Sequence, residues 1–165
     1  MTVTSTAKDY ATLTFRLVAD FAAPVERVWQ LWEDPRKLER WWGPPTYPAT
    51  FEQYELAPGG SARYFMTSPE GARYYGWWRI VTVDPPHSLE VVDGFGDANG
   101  EPDESEPLTT MRVELSEHDG GTRMEISSVY ATLDDMQTVI ARGVVEGMSG
   151  AMGQMDALLD EGDAR

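Results

Sequence analysis

The stretch GVVEGMSGAMGQMDALLDE, Gly143 to Glu161, decides how the rest of the chain is read. Its methionines, leucines and acids recur at helical spacing, yet Gly143, Gly147, Gly150 and Gly153 lie inside it. A glycine costs an interior helical position about 1 kcal/mol relative to alanine. With the preceding TLDDMQTVIAR, the segment reads as one long C-terminal helix opened by Thr132 as N-cap, with Asp135 three residues on. At the helical repeat, Met136, Ile140, Val144, Gly147, Met148, Ala151, Met155 and Leu158 share a broad face, and Ser149, Asp156 and Asp160 lie opposite. Gly143, Gly147 and Gly150 flatten one flank of that face, Gly153 lies towards the polar side, and the methionines fill the other flank. Two physical explanations stand side by side. Either the helix packs unusually close to its neighbour, which glycine permits, or the missing side chains leave room for a ligand.

Such a helix needs a surface to cover, and the preceding sequence supplies one. ATLTFRLVAD (11–20) alternates as a half-buried strand. APVERVWQLWED (23–34) gathers Val25, Val28, Trp29 and Trp32 on one helical face, and PRKLERWW (35–42) is a second short helix halted by Gly43-Pro44-Pro45. The period then becomes two. ATFEQYEL (49–56), SARYFMT (61–67), ARYYGWWRIVTV (72–83), SLEVVDGF (88–95), LTTMRVELSE (108–117) and TRMEISSVYA (122–131) read as six strands in hairpins. His118-Asp119-Gly120-Gly121 is a strong hairpin turn. The expected fold is α+β: a seven-stranded antiparallel sheet, two short helices and a long C-terminal helix across one face. Residues 1–10 read as a flexible tail and 11–162 as a single domain. Residues 96–107, GDANGEPDESEP, read as a solvent-facing acidic loop.

Composition narrows the function. The 165 residues are 41% hydrophobic, enough for one domain with a real core. No apolar run approaches a membrane span, and MTVTSTAKDY lacks the pattern of a secretory signal. The chain has no cysteine, which removes disulfides, zinc–thiolate sites and thiol nucleophiles and fits a cytoplasmic location. A formal net charge of −15 repels phosphate backbones and anionic lipid, so neither nucleic acid nor membrane is an expected partner. Nucleophile-elbow, phosphate-loop, zinc-protease and dinucleotide fingerprints are all missing. His87 and His118 sit beside turns, where a surface role is the simpler reading. No metal or cofactor is expected, since the clustered acids lack the spacing of a calcium loop.

Asp93 is the carboxylate that stands out, placed after Val91-Val92 and before Phe95 in an otherwise apolar strand. If buried, it needs a hydrogen-bonded or charged partner, and Arg16, Arg63, Arg79 and Arg112 are the strand cations at hand. Capping of the strand end is the simpler alternative. The aromatics form the strongest chemical signal. Trp29, Trp32, Trp41, Trp42, Trp77 and Trp78 are either core or the wall of a cavity for a flat apolar ligand, with the WWGP turn at its mouth.

APVERVWQLWEDPRKLERWWGP (23–44), LAPGG (56–60), VDPPHSL (83–89), DGF (93–95), DGGTRM (119–124) and GMSGAMGQMDALL (147–159) together resemble the START-like, or helix-grip, superfamily. The nearer similarity is to the branch related to the C-terminal domain of the activator of heat-shock protein 90 ATPase. The resemblance implies a curved antiparallel sheet gripping a C-terminal helix around an apolar cavity. Lipid carriers, hormone receptors, cyclases, a drug-resistance protein and chaperone regulators share this fold, so the fold alone does not select a function. The leading expectation is non-catalytic binding of a small hydrophobic or aromatic molecule. A chaperone-ATPase regulator, with a chaperone as partner and a role in stress response, is the alternative. A polyketide cyclase-like enzyme is the third. That eukaryotic regulator has a separate N-terminal domain, whereas only a short loose tail precedes the first expected strand here. Either a monomer or a homodimer fits.

Strand parity and helix face give the expected lining: Trp42, Phe51, Tyr64, Met66, Asp93, Phe95, Met111, Gly147, Met148 and Met152. The expected cavity has the volume usual for small-ligand pockets, about 300–1,000 Å³, and lies between the sheet and residues 136–159. The parity of 72–83 leaves Tyr75, Trp77 and Trp78 unassigned.

Overall fold

Alternation of apolar and polar side chains builds one sheet, and the computed structural model describes residues 2–163 of it and its helices. The strands are β1 (Thr2–Asp9), β2 (Thr14–Phe21), β3 (Ala49–Tyr54), β4 (Ser61–Thr67), β5 (Arg73–Asp84), β6 (Ser88–Phe95), β7 (Thr109–His118) and β8 (Gly121–Tyr130). They form a single antiparallel sheet in the order β1-β2-β8-β7-β6-β5-β4-β3. β3 to β8 are therefore one meander, and β2 closes onto its last strand through pairs such as Leu17↔Ile126.

The sheet has eight strands rather than seven. The extra one is β1, in the segment read as a loose tail; it pairs with β2 from Thr2↔Asp20 to Asp9↔Thr14. TVTSTAKD carries a single large apolar residue, Val3, so there was no burial pattern to read. As an edge strand it is held mainly by backbone hydrogen bonds, which any sequence supplies.

Between β2 and β3 lie α1 (Val25–Glu33) and α2 (Pro35–Leu38). Asp34 caps α2 through its side chain, which accepts from the Arg36 N–H, and Pro35 stands in the first turn. α1 buries Val25, Val28, Trp29, Leu31 and Trp32 against β7, β8 and the C-terminal helical segment. Trp32 and Trp41 meet edge to face at 4.7 Å, and the Trp41 indole N–H donates to the Leu31 carbonyl at 2.9 Å.

The C-terminal region is not one helix. It is three: α3 (Leu133–Ala141), α4 (Val144–Met152) and α5 (Met155–Asp163). Thr132 caps α3 as expected, accepting from the Asp135 N–H at 3.0 Å. The first break is set by Gly143, which has φ +90 and so ends the α3 helical path in a conformation open mainly to glycine. The second falls at Gly153-Gln154. The Gln154 side chain there donates to the Gly43 carbonyl at 2.6 Å and ties the break to the WWGPP turn. The breaks shift the buried face, so Leu159 is buried in α5 where unbroken spacing favoured Leu158. They also leave α4 with α3 and α5 as its main backbone neighbours, held off the sheet. Among the described residues no helix is long and apolar enough to cross a membrane.

A cavity between the sheet and the broken helix

Because α4 stands away from the strands, a cavity of about 480 Å³ opens beneath it. One side of the sheet forms its floor. Residues opposite one another on adjacent strands point to the same face, and the register sets a row Trp78–Asp93–Thr109–Tyr130 across β5 to β8. A second row, Tyr64–Gly76–Phe95, lies beside it. Val139, Val144, Gly147, Met148, Ala151 and Met152 form the roof, and Trp41, Trp42, Pro44 and Tyr47 one wall.

Of the residues expected from sequence, Trp42, Tyr64, Met66, Asp93, Phe95, Met111, Gly147, Met148 and Met152 line this space. Phe51 does not. Its ring stacks on Tyr64 with centroids 5.0 Å apart and lies 5.8 Å from Trp78. The two intervening rings separate it from the cavity, so it supports the wall from behind. The unresolved parity of β5 is now fixed. Trp78 is fully buried on the cavity side of the sheet, at the end of the polar row, and is not among the lining residues. Trp77 lies on the opposite face over Gly94, where a Cβ would stand 2.5 Å from its ring, and its N–H donates to the Phe95 carbonyl at 3.0 Å. Tyr75 reaches the cavity rim.

Sequence reading missed Ser128 and Tyr130. The signal was available in β8, where Met124, Ile126, Ser128 and Tyr130 alternate inward and all are buried. A serine and a tyrosine on the core parity mark a polar patch on an otherwise apolar floor.

That patch centres on Asp93. The arginines considered as its partners are engaged elsewhere: Arg16 with Glu125, Arg63 with Glu101, Arg112 with Glu90 and Glu114, and Arg79 over the Trp77 ring. Its partner is Tyr64, whose hydroxyl donates to Asp93 Oδ1 at 3.1 Å. Asp93 keeps some accessible surface because it faces the cavity, but protein surrounds it. Desolvation therefore dominates and pushes its pKa up to about 7, against the opposing pull of the Tyr64 hydroxyl and the nearby Trp78 N–H. Burial and the Asp93 charge raise the Tyr64 pKa well above that of a free tyrosine. The same two causes, burial foremost, push Tyr130 up to about 12 against the opposing pull of the nearby Thr109 hydroxyl.

Several donors here lack an acceptor. The Trp42 and Trp78 indole N–H groups and the Tyr130 hydroxyl are buried without a hydrogen-bond partner. The two indoles lie near enough to Tyr64 and Asp93 to bias their protonation, yet outside hydrogen-bond geometry. A buried polar group without a partner costs about 1–3 kcal/mol.

The mouth is framed by Arg142 and the acidic loop. Arg142 lies 4.7 Å from the Phe95 ring centroid and pairs with Glu106 at 2.8 Å. The loop expected to face solvent does so at Asp97, Ala98, Asn99 and Glu101. It is also docked, through the Asp103 N–H to the Phe95 carbonyl at 2.9 Å and a bridge between Gly96 and Pro102.

Residues 22–160 match the family model described as Activator of Hsp90 ATPase homolog 1-like protein. The chain belongs to this family. Among solved structures it is similar to protein Ms6760 from Mycobacterium smegmatis, with 47% identity, TM-score 0.89, and coverage of 96% of this chain and 97% of that one. A protein from Arthrobacter aurescens is 48% identical with TM-score 0.92, over 97% of this chain and 93% of the other. One from Rhodobacter sphaeroides is 26% identical with TM-score 0.81, over 95% and 98%. No curated protein matches the chain. Membership in the Activator of Hsp90 ATPase homolog 1-like family accords with the helix-grip architecture and with a ligand-binding domain in general terms.

Proposed function

We propose that the protein binds a small, largely apolar or aromatic molecule in the cavity between the sheet and α4, without chemical change. The observation that carries this reading is the cavity itself, about 480 Å³, within the range of small-ligand sites. Its wall is rich in aromatic and methionine side chains, which accommodate flat apolar molecules of varied outline. Burying such a molecule releases roughly 25 cal/mol for each Å² of apolar surface removed from water.

The test is titration with N-phenyl-1-naphthylamine, a neutral dye that brightens in apolar surroundings. The wild-type protein is expected to bind it saturably. Gly147→Leu, which extends a side chain from the roof, is expected to abolish the signal while the protein unfolds at no lower temperature. Equal dye binding by the variant would contradict the reading.

One observation favours a second reading, proton-transfer chemistry of the cyclase type. Asp93, with a pKa pushed up to about 7 beside the Tyr64 hydroxyl, is poised to exchange a proton near neutrality. Deuterium uptake from heavy water by a bound ketone, abolished in Asp93→Asn, would support it; unchanged exchange in the variant would not.

A further inference from the structure

The geometry points to a ligand that carries an uncharged acceptor oxygen, such as a ketone carbonyl, on its apolar frame, seated with that oxygen on the polar row at the cavity floor. This rests on the cavity-binding reading above and names the class of molecule it would take.

The floor has an unusual balance of hydrogen-bonding groups. Tyr130 is 3% exposed and Trp42 8% exposed, both line the cavity, and neither the Tyr130 hydroxyl nor the Trp42 N–H has an acceptor within hydrogen-bond geometry, the Thr109 hydroxyl lying near Tyr130 but outside it. Tyr64 already gives its proton to Asp93. Thr109 on β7 and Ser128 on β8 add hydroxyls to the same patch. Donors without acceptors are what an incoming acceptor oxygen would satisfy, and native proteins rarely leave such groups unmatched.

The alternatives fit less well. A carboxylate ligand would have to shed its hydration and hold its charge beside Asp93, which would then have to stay protonated, on a protein of net charge −15. An ammonium ligand would satisfy Asp93 but turn its own donors toward the Trp42 N–H. A purely apolar ligand would leave every donor as it is. A neutral oxygen meets the donors without a charge conflict, and desolvation favours the neutral carboxylic acid at Asp93, which then adds a donor of its own.

Three probes built on one tricyclic frame test this: fluorene, 9-fluorenone and 9-(aminomethyl)fluorene, a cation at neutral pH. They are titrated against the full chain by quenching of its tryptophan fluorescence. A carbonyl that met no donor would weaken binding, because its lost hydration would go uncompensated. Fluorenone is instead expected to bind about tenfold more tightly than fluorene, the worth of roughly one good buried hydrogen bond. Tyr130→Phe, which removes only the unpartnered hydroxyl, should cost fluorenone about fivefold and leave fluorene unchanged. Circular dichroism confirms that the variant is folded. Equal or weaker binding of fluorenone than fluorene would overturn the inference while leaving the cavity-binding reading intact. Tightest binding of the ammonium probe would overturn it in favour of a cation site. If none of the three binds, the inference falls together with the reading on which it rests.

Discussion

Asp93 gives folding stability a pH dependence that comes from one side chain. Its folded pKa lies near 7, above its ordinary 3.8. Between these values the folded state keeps a proton that the unfolded chain has released, so stability falls as pH rises through this window. Below it both states are protonated and the burial costs nothing extra. Above it the full cost is present, about 1.4 kcal/mol for each pH unit separating the two values. Asp93→Asn is neutral throughout. Urea unfolding at pH 4, 6 and 8 is expected to show the variant gaining on the wild type as pH rises, by a few kcal/mol at pH 8. A variant less stable than wild type at pH 8 would mean that the carboxylate is well solvated. Gly76 governs the same group indirectly. A Cβ there would stand 2.3 Å from the Tyr64 ring, so Gly76→Ala must displace Tyr64 and break its 3.1 Å bond to Asp93. Overpacking of this kind costs about 1–3 kcal/mol, and denaturant unfolding would register it.

At the scale of elements, the glycines of the C-terminal region separate into two kinds. Gly143 breaks the helical path with φ +90, whereas Gly147 and Gly150 sit within α4, where a Cβ would stand 3.9 Å from Pro44 and 3.8 Å from Pro45. That is ordinary contact distance, so tight packing on the sheet does not explain them. Opposite effects are therefore expected from the same substitution. Gly143→Ala should destabilise by about 1–2 kcal/mol because an L-residue is strained there, and Gly147→Ala should stabilise by up to about 1 kcal/mol through helix propensity. Thermal unfolding of the pair decides, and equal shifts in one direction would contradict the assignment. Periodicity alone does not distinguish these glycines, because the apolar spacing runs on through Gly143 and slips only in α5, where Leu159 is buried in place of Leu158. β1 was hidden for a different reason, since an edge strand held by its backbone carries little pattern in its side chains. The meander from β3 to β8 was legible because each strand buries one face and each turn is marked by Gly, Pro or Asp.

At the scale of the whole molecule, the cavity floor was readable where the parity of a strand could be assigned, as for Tyr64, Met66, Asp93 and Met111. It was not readable where doublets such as Trp77-Trp78 leave the parity open, or where Phe51 is screened by a ring from another strand. The central claim is that the space beneath α4 receives an apolar molecule, and the methionines report on it directly. Met66, Met111, Met148 and Met152 line the cavity, whereas Met124, Met136 and Met155 are buried in the core outside it. The decisive measurement is a titration of protein labelled with ¹³C at the methionine methyl groups, using fluorene as the probe. The account predicts that the four cavity methyls shift saturably while the three core methyls stay in place. Four unmoved cavity methyls at saturating fluorene, or core methyls that move as far as they do, would contradict it.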